Sequence, residues 1–306
     1  MDSADTPASG MNMTTQLLRF SASYALLLGL ALSASSAHAQ LIGSWSQDEA
    51  SGNLIDSTGG HPAGIATGSP VFGQPGVPNG TYGSLVVTGA AGTSIEYGPS
   101  NSDEFFTIGT DNNNPALNLD AAGAFTVMGW MNPVAPTLAA STYRFFSTGS
   151  GAGGDRGWGI GLRLNGATGA GSAIRFTTYG IADNDSSTFN VSFGQWIHIA
   201  ATYNNGAINY FLNGNALDSD TSVFGNDAAA ARLVIGGRVG ANDTDQASAR
   251  LDGIRIYNGV LTPAQIQQAA VESISIPEPS SFVLLAFACL AIATAWKRGC
   301  FAKTRC

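Results

Sequence analysis

Asp218 and Asp220 stand two residues apart, the spacing that sets two carboxyl groups on one face of a β-strand. Two carboxyl groups roughly 5–10 Å apart are what glycosidic cleavage requires, one as acid and the other as base or nucleophile. This pair brackets Ser219 in the return limb of a hairpin, which reads as a solvated edge. The glutamates between residues 40 and 276, Glu49, Glu96, Glu104 and Glu272, are scattered. There is no Gly-x-Ser-x-Gly elbow, no His-Glu-x-x-His and no phosphate-binding Gly-rich loop. His61 and His198 are the histidines of the same segment. The residue types therefore predict a protein that is not an enzyme.

The chain ends carry a different chemistry, that of a substrate for processing. Pro277-Glu278-Pro279 precedes an uncharged apolar run, 281–296, and then Lys297 and Arg298. The prolines fix φ and remove two backbone donors, so the motif is extended and open to an enzyme. The apolar run, read as a transmembrane helix, spans roughly 24 Å, short of a bilayer core about 30 Å thick. Lys297 and Arg298, within a basic tail over 297–306, hold its end in the cytoplasm. At the other end, Arg19, an apolar stretch over 24–32 and Ala37-His38-Ala39 follow the order of a secretory signal peptide. Cleavage is expected before Gln40, which makes 1–39 the signal region. Asp2 and Asp5 fit poorly there, and translation starting at Met11 or Met13 removes them.

What remains is a segment over 40–271, followed by a linker over 272–280. It is rich in Gly, Asn, Ser and Thr. Both lysines and all three cysteines of the chain lie in the C-terminal tail, so this segment has only arginine as cation and no disulfide. The formal net charge of −8 and the absence of a basic stripe exclude a nucleic-acid partner. Period-two runs over 124–130, 143–148, 158–164, 173–179, 196–203, 207–212, 232–235 and 251–257 predict strands. Asn204-Asn205-Gly206 and Asn213-Gly214 predict tight turns. One helix is expected over 263–270, with Thr262 as N-cap and Pro263 at its first position. Many short strands with Gly/Asn turns point to an all-β sandwich.

Two resemblances follow from these residues. The Pro-Glu-Pro motif, apolar helix and basic cluster resemble, in that order, the PEP-CTERM sorting signal of exopolysaccharide-producing Gram-negative bacteria. That resemblance implies export by the Sec translocon, cleavage by signal peptidase and removal of the tail by exosortase. The protein is then transiently anchored in the membrane before reaching the cell surface or the medium. The run from Gln195-Trp196-Ile197-His198 to Asn213-Gly214, the run Leu251-Asp252-Gly253-Ile254-Arg255-Ile256-Tyr257, and Trp45 with Asp56-Ser57-Thr58-Gly59 resemble laminin-G-like, concanavalin A-like jelly-roll domains. Gly253 replaces an acidic position common in those domains. The resemblance implies two antiparallel sheets in a jelly roll whose first and last strands pair.

The same resemblance implies a calcium site at a sandwich rim. Asp155, ahead of a strand, and Asp243 and Asp245, in the loop before the last strand, are its candidate ligands, since Ca²⁺ takes several hard oxygens. Asp183-Asn184-Asp185 is a second acidic loop and a weaker calcium candidate; the alternative is that these Asp and Asn residues are turn formers. Trp158 and Arg156 are the candidate glycan-binding residues, with Trp158 as a core residue the alternative; Trp45, Trp130 and Trp196 are expected in the core. The expectation is a surface or extracellular-matrix protein whose non-catalytic domain binds glycan or protein. A secreted polysaccharide-active enzyme of the same fold and a purely structural adhesion domain are the competing readings.

Overall fold

The computed structural model describes residues 39–88, 92–98, 104–109, 123–135, 140–149, 157–166, 168–222, 232–238 and 245–272. The chain divides into two units, Met1–His38 and Ala39–Cys306, and every described residue lies in the second. The sorting motif at Pro277, Glu278, Pro279, Lys297 and Arg298 lies outside the described residues, as do the apolar run over 281–296 and the signal region apart from Ala39. No helix among the described residues is long and apolar enough to cross a membrane.

The described strands are β1 (Leu41–Trp45), β2 (Ile65–Thr67), β3 (Val71–Pro75), β4 (Gly80–Tyr82), β5 (Leu85–Val87), β6 (Thr93–Tyr97), β7 (Phe105–Ile108), β8 (Ala124–Pro133), β9 (Ala140–Gly149), β10 (Trp158–Asn165), β11 (Ala173–Thr178), β12 (Ala182–Asp185), β13 (Ile197–Asn204), β14 (Ala207–Leu212), β15 (Asn215–Thr221), β16 (Arg232–Ile235) and β17 (Ala249–Tyr257). They form an eight-stranded sheet in the order β15-β14-β13-β8-β17-β6-β3, with β1 also on β17. A seven-stranded sheet follows the order β12-β11-β10-β9-β16-β7-β2, and β4 and β5 pair by themselves. Every pairing between them is antiparallel. The result is an all-β sandwich of the jelly-roll type, in which the first strand pairs with the last. The expected Asn turns are present: Asn205 and Gly206, then Asn213 and Gly214, all have positive φ. Asn and Gly tolerate that region best, so these two hairpins are set locally.

Alternation decides what each sheet buries. Along β8, Phe125, Val127 and Met131 enter the core between the sheets, while Met128 and Trp130 point to the opposite side. That opposite side is covered by the one described helix, α1 (Pro263–Glu272), through Ile266, Ala269 and Ala270. Thr262 and Gln265 cap α1 reciprocally, Gln265 N donating to Thr262 Oγ1 at 3.3 Å and Thr262 N to Gln265 Oε1 at 2.8 Å. Trp130 Nε1 donates to the Ala270 carbonyl at 2.8 Å. The β4–β5 pair and the connection before it cover the rest, placing Val77, Leu85 and Val87 with Trp130 and Trp196. Burying each such side chain contributes about 1.5–3 kcal/mol. One outer face is therefore closed, and the part of the seven-stranded sheet from β9 to β12 is the contrasting case.

Candidate functional site

Strand β10 sends Trp158, Ile160, Leu162 and Leu164 into the core, so Gly159, Gly161 and Arg163 fall on the other face. Register then builds two rows across the sheet. Asp185, Arg175, Gly161 and Arg144 form one, and Asp183, Thr177, Gly159 and Ser147 the other. The two glycines leave a trough along β10. Arg144 lies across it, donating from Nη2 to Thr177 Oγ1 at 2.7 Å and from Nη1 to the Gly159 carbonyl at 3.4 Å. It is 2% exposed. A Cβ at Gly161 would lie 2.8 Å from the Tyr143 carbonyl carbon and 2.9 Å from Arg144 Cα, so glycine there also sets how closely β9 approaches.

Strand β9 carries a bulge opposite Ile160 and Gly161. Phe145 and Phe146 both enter the core, and Ser147 returns to the side of Arg144, where its Oγ donates to the Gly237 carbonyl at 2.6 Å. The extra residue re-aims everything after it. Tyr179 closes one end of the trough, its hydroxyl lying over Gly159. Its ring lies against two guanidinium groups, Arg238 at 4.1 Å and Arg144 at 5.5 Å. Asp245 joins the same arginines, 3.4 Å from Arg144 and 3.2 Å from Arg238.

At the other end, Arg175 grips Asp185 in a fork, with Nε and Nη2 donating at 2.7 and 2.9 Å. Its Nη1 donates to Asp183 at 2.9 Å, and Thr177 donates to the same carboxylate at 2.6 Å. Arg163 stands 2.7 Å from Asp185. Partial burial pushes the Asp185 carboxyl up, but the Arg175 hydrogen bond and charge, with Arg163, outweigh it and leave it below the ordinary carboxylate range. The Asp185 hydrogen bond in turn raises Arg175. Burial raises the Tyr179 phenol, a shift that Arg144 opposes, so it stays neutral. The face therefore offers fixed guanidinium donors, carboxylate acceptors and a phenol. A general acid needs a carboxyl held above its usual range, and Asp185 is shifted the other way.

The proposed site residues are distributed differently from expectation. Asp155, Arg156 and Asp243 lie outside the described residues. Trp158 is a core residue: it is 1% exposed and stacks on Phe125, Phe146 and Phe176. The alternation of β10 turns its ring inward, so it offers no face to a sugar. Trp45, Trp130 and Trp196 are buried as well. Asp245, the described member of the candidate calcium set, has both oxygens against guanidinium groups. A divalent cation there would meet two positive charges, so the described part of the set does not fit calcium. Among the described residues, no group of three His, Cys, Asp or Glu is placed to hold a metal ion.

The acidic run Asp183-Asn184-Asp185 is the edge strand β12 rather than a loop. Asp218 and Asp220 lie on the edge strand β15, and Asp218 accepts from Ser187 N and Oγ. His198 is fully buried beside Trp130, and neither ring nitrogen has a hydrogen-bond partner. Burial holds its pKa down, at about 3. Sequence reasoning missed Arg144, Arg163, Arg175, Tyr179 and Arg238. The available signal was Trp158-Gly159-Ile160-Gly161-Leu162, where glycine alternates with apolar residues in a strand.

Residues 108–267, just over half of the chain, match the laminin-G-type model described as the concanavalin A-like lectin/glucanases superfamily. Among solved structures, domain 4 of AbnA, a GH43 extracellular arabinanase from Geobacillus stearothermophilus in complex with arabinotriose, is 23% identical; the match covers 76% of this chain and 98% of that one at a TM-score of 0.45. The native heptameric SAP-like pentraxin from Limulus polyphemus is 18% identical over 48% of this chain and 70% of that one, at a TM-score of 0.40. Trypanosoma rangeli sialidase in complex with sialic acid is 16% identical, covering 74% of this chain and 32% of the sialidase at a TM-score of 0.50. This last likeness is one of fold, over about a third of the sialidase. No protein among the curated sequences matches the chain.

Proposed function

The chain belongs to the concanavalin A-like lectin/glucanases superfamily, and from that premise we propose that it is an exported, non-catalytic glycan-binding protein whose ligand lies on the β9–β12 face. The observation that carries this reading is the contrast between the two outer faces. Helix α1 and the β4–β5 pair bury apolar side chains of β8 and β13 on one. The other presents ordered arginine and aspartate side chains that are only partly exposed, among them Arg163, Arg175 and Asp185. Side chains fixed by one another lose little freedom on binding. Sugar hydroxyls both donate and accept, and adjacent guanidinium and carboxylate groups complement them.

The non-catalytic part of the reading is supported by the engagement of Asp183, Asp185 and Asp245 with arginines. Export and sorting rest on the terminal sequences: signal-peptidase cleavage before Gln40, then exosortase action at Pro277-Glu278-Pro279. A glycan array probed with the full-length chain, with and without Ca²⁺, tests the binding. Glycan signals lost in Arg175→Gln are expected. A blank array together with self-association would favour a structural adhesion domain, and release of reducing sugar by the chain would favour an enzyme. In a host with exosortase, Glu278→Ala is expected to leave the protein unprocessed; unchanged mature mass would return the tail to an ordinary anchor.

A further inference from the structure

We propose that the β9–β12 face binds an acidic polysaccharide, a chain of uronate-type sugars whose carboxylates are taken up by its arginines; this rests on the glycan-binding reading above. The first reason is charge. The whole chain has a formal net charge of −8 and a pI near 4.7. The face runs against that balance. Among the described residues, four guanidinium groups, those of Arg144, Arg163, Arg175 and Arg238, meet three carboxylates there, those of Asp183, Asp185 and Asp245.

The second reason is geometry. Every cation between residues 40 and 276 is an arginine, whose planar fork matches a carboxylate where a lysine would offer a point charge. The face already displays that recognition internally, in the Arg175–Asp185 fork. Arg163, Arg175 and Arg238 have side chains 22–23% exposed, so they are fixed yet within reach. The rows cross four strands, about 14 Å at the usual strand spacing, which engages more than one charge of a polymer.

The third reason concerns neutral sugars, whose apolar ring faces seek an open aromatic ring. Among the described residues, the ring on this face, Tyr179, is 4% exposed and covered by Arg238. Recognition is thereby shifted from stacking to charge-assisted hydrogen bonds, and carboxylates make the strongest of these.

Isothermal titration of the full-length chain against polygalacturonate, its fully methyl-esterified form and dextran tests the inference. Polygalacturonate is expected to bind. Esterification should weaken binding about tenfold or more, and raised ionic strength should weaken the acid form selectively. Arg163→Gln combined with Arg175→Gln should lose polygalacturonate. Asp183→Asn, which removes a competing carboxylate at an exposed edge, should bind it more tightly, a gain that misfolding does not imitate. Equal binding of acid and ester, or binding of dextran alone, overturns the inference while leaving the glycan-binding reading intact. No binding of any of the three overturns both.

Discussion

Replacing Gly161 by alanine tests the trough most directly. The added Cβ would lie 2.8 Å from the Tyr143 carbonyl carbon and 2.9 Å from Arg144 Cα, and closer still to the Tyr143 oxygen. Carbon atoms in ordinary contact stand about 3.5–4.0 Å apart, so the overlap is at least about 0.6 Å on two backbone atoms. No side-chain rotation relieves it, and β9 must move away from β10. Overpacking costs typically 1–3 kcal/mol, and a rigid neighbour places this case at the upper end, about 3 kcal/mol. For a domain of this size that lowers Tm by roughly 6–12 °C, measured by thermal unfolding followed by circular dichroism. Gly159→Ala is the internal comparison. Its Cβ would meet the end of the Tyr179 ring and lie 3.1 Å from Ser147 Cβ. The phenol can swing away, so the cost is about 1 kcal/mol, but glycan binding should fall because Tyr179 and its arginines are displaced. If Gly161→Ala melted within about 2 °C of the parent, the spacing of β9 and β10 would not depend on the glycine. The account of Gly161 setting how closely β9 approaches β10 would then be wrong.

His198, held at about pKa 3 by burial, makes the fold acid-sensitive. The unfolded chain takes up a proton below about pH 6.5 that the folded protein refuses until about pH 3, so this contribution is complete above pH 6.5 and is lost as pH falls. His198→Leu should therefore melt less steeply with acid between pH 7 and 4, the difference growing by on the order of 1 kcal/mol per pH unit; parallel curves would refute it. Asp252 works in the opposite sense: burial, then the charge of Asp48, holds its carboxyl well above the ordinary range. Its contribution is complete below the unfolded value and is lost as pH rises through the native one. Asp252→Asn keeps an acceptor for Val77 N and should be more stable than the parent at pH 7, with the gap closing as pH falls toward 4, as read by urea unfolding. Trp158→Ala should cost about 3–5 kcal/mol as a core truncation, whereas Trp158→Phe should leave glycan affinity unchanged; a selective loss of affinity in Trp158→Phe would restore that ring as a ligand contact.

Much of the sandwich was legible in the sequence because its signals are local. The alternation over 124–130 and 207–212 fixes which side chains of β8 and β14 face each way. Asn205-Gly206 and Asn213-Gly214 adopt the backbone conformations that turn those hairpins, and Thr262 caps α1 through a residue three positions away. The short strands β2, β4, β5 and β12 carry too few residues for a periodic signal, whereas β15, where Asp218 and Asp220 read as the solvated return limb of a hairpin, is an edge strand as expected.

The candidate site was not legible in the same way. Its members come from β9, β10, β11, β12 and the segments around Arg238 and Asp245, and only strand register brings them together. The sequence by itself determined that this segment has arginine as its only cation, few glutamates and a period-two core, because composition and alternation need no partner. The tertiary structure decided what those residues do. Uninterrupted alternation along β9 would place Phe146 beside Arg144, and the bulge instead sends both phenylalanines inward and Ser147 outward. Packing turned Trp158 into the core and gave Asp245 to two arginines. A bulge and a cross-strand ion pair depend on which strand lies alongside, and that is a property of the assembled sheet rather than of any one stretch of chain.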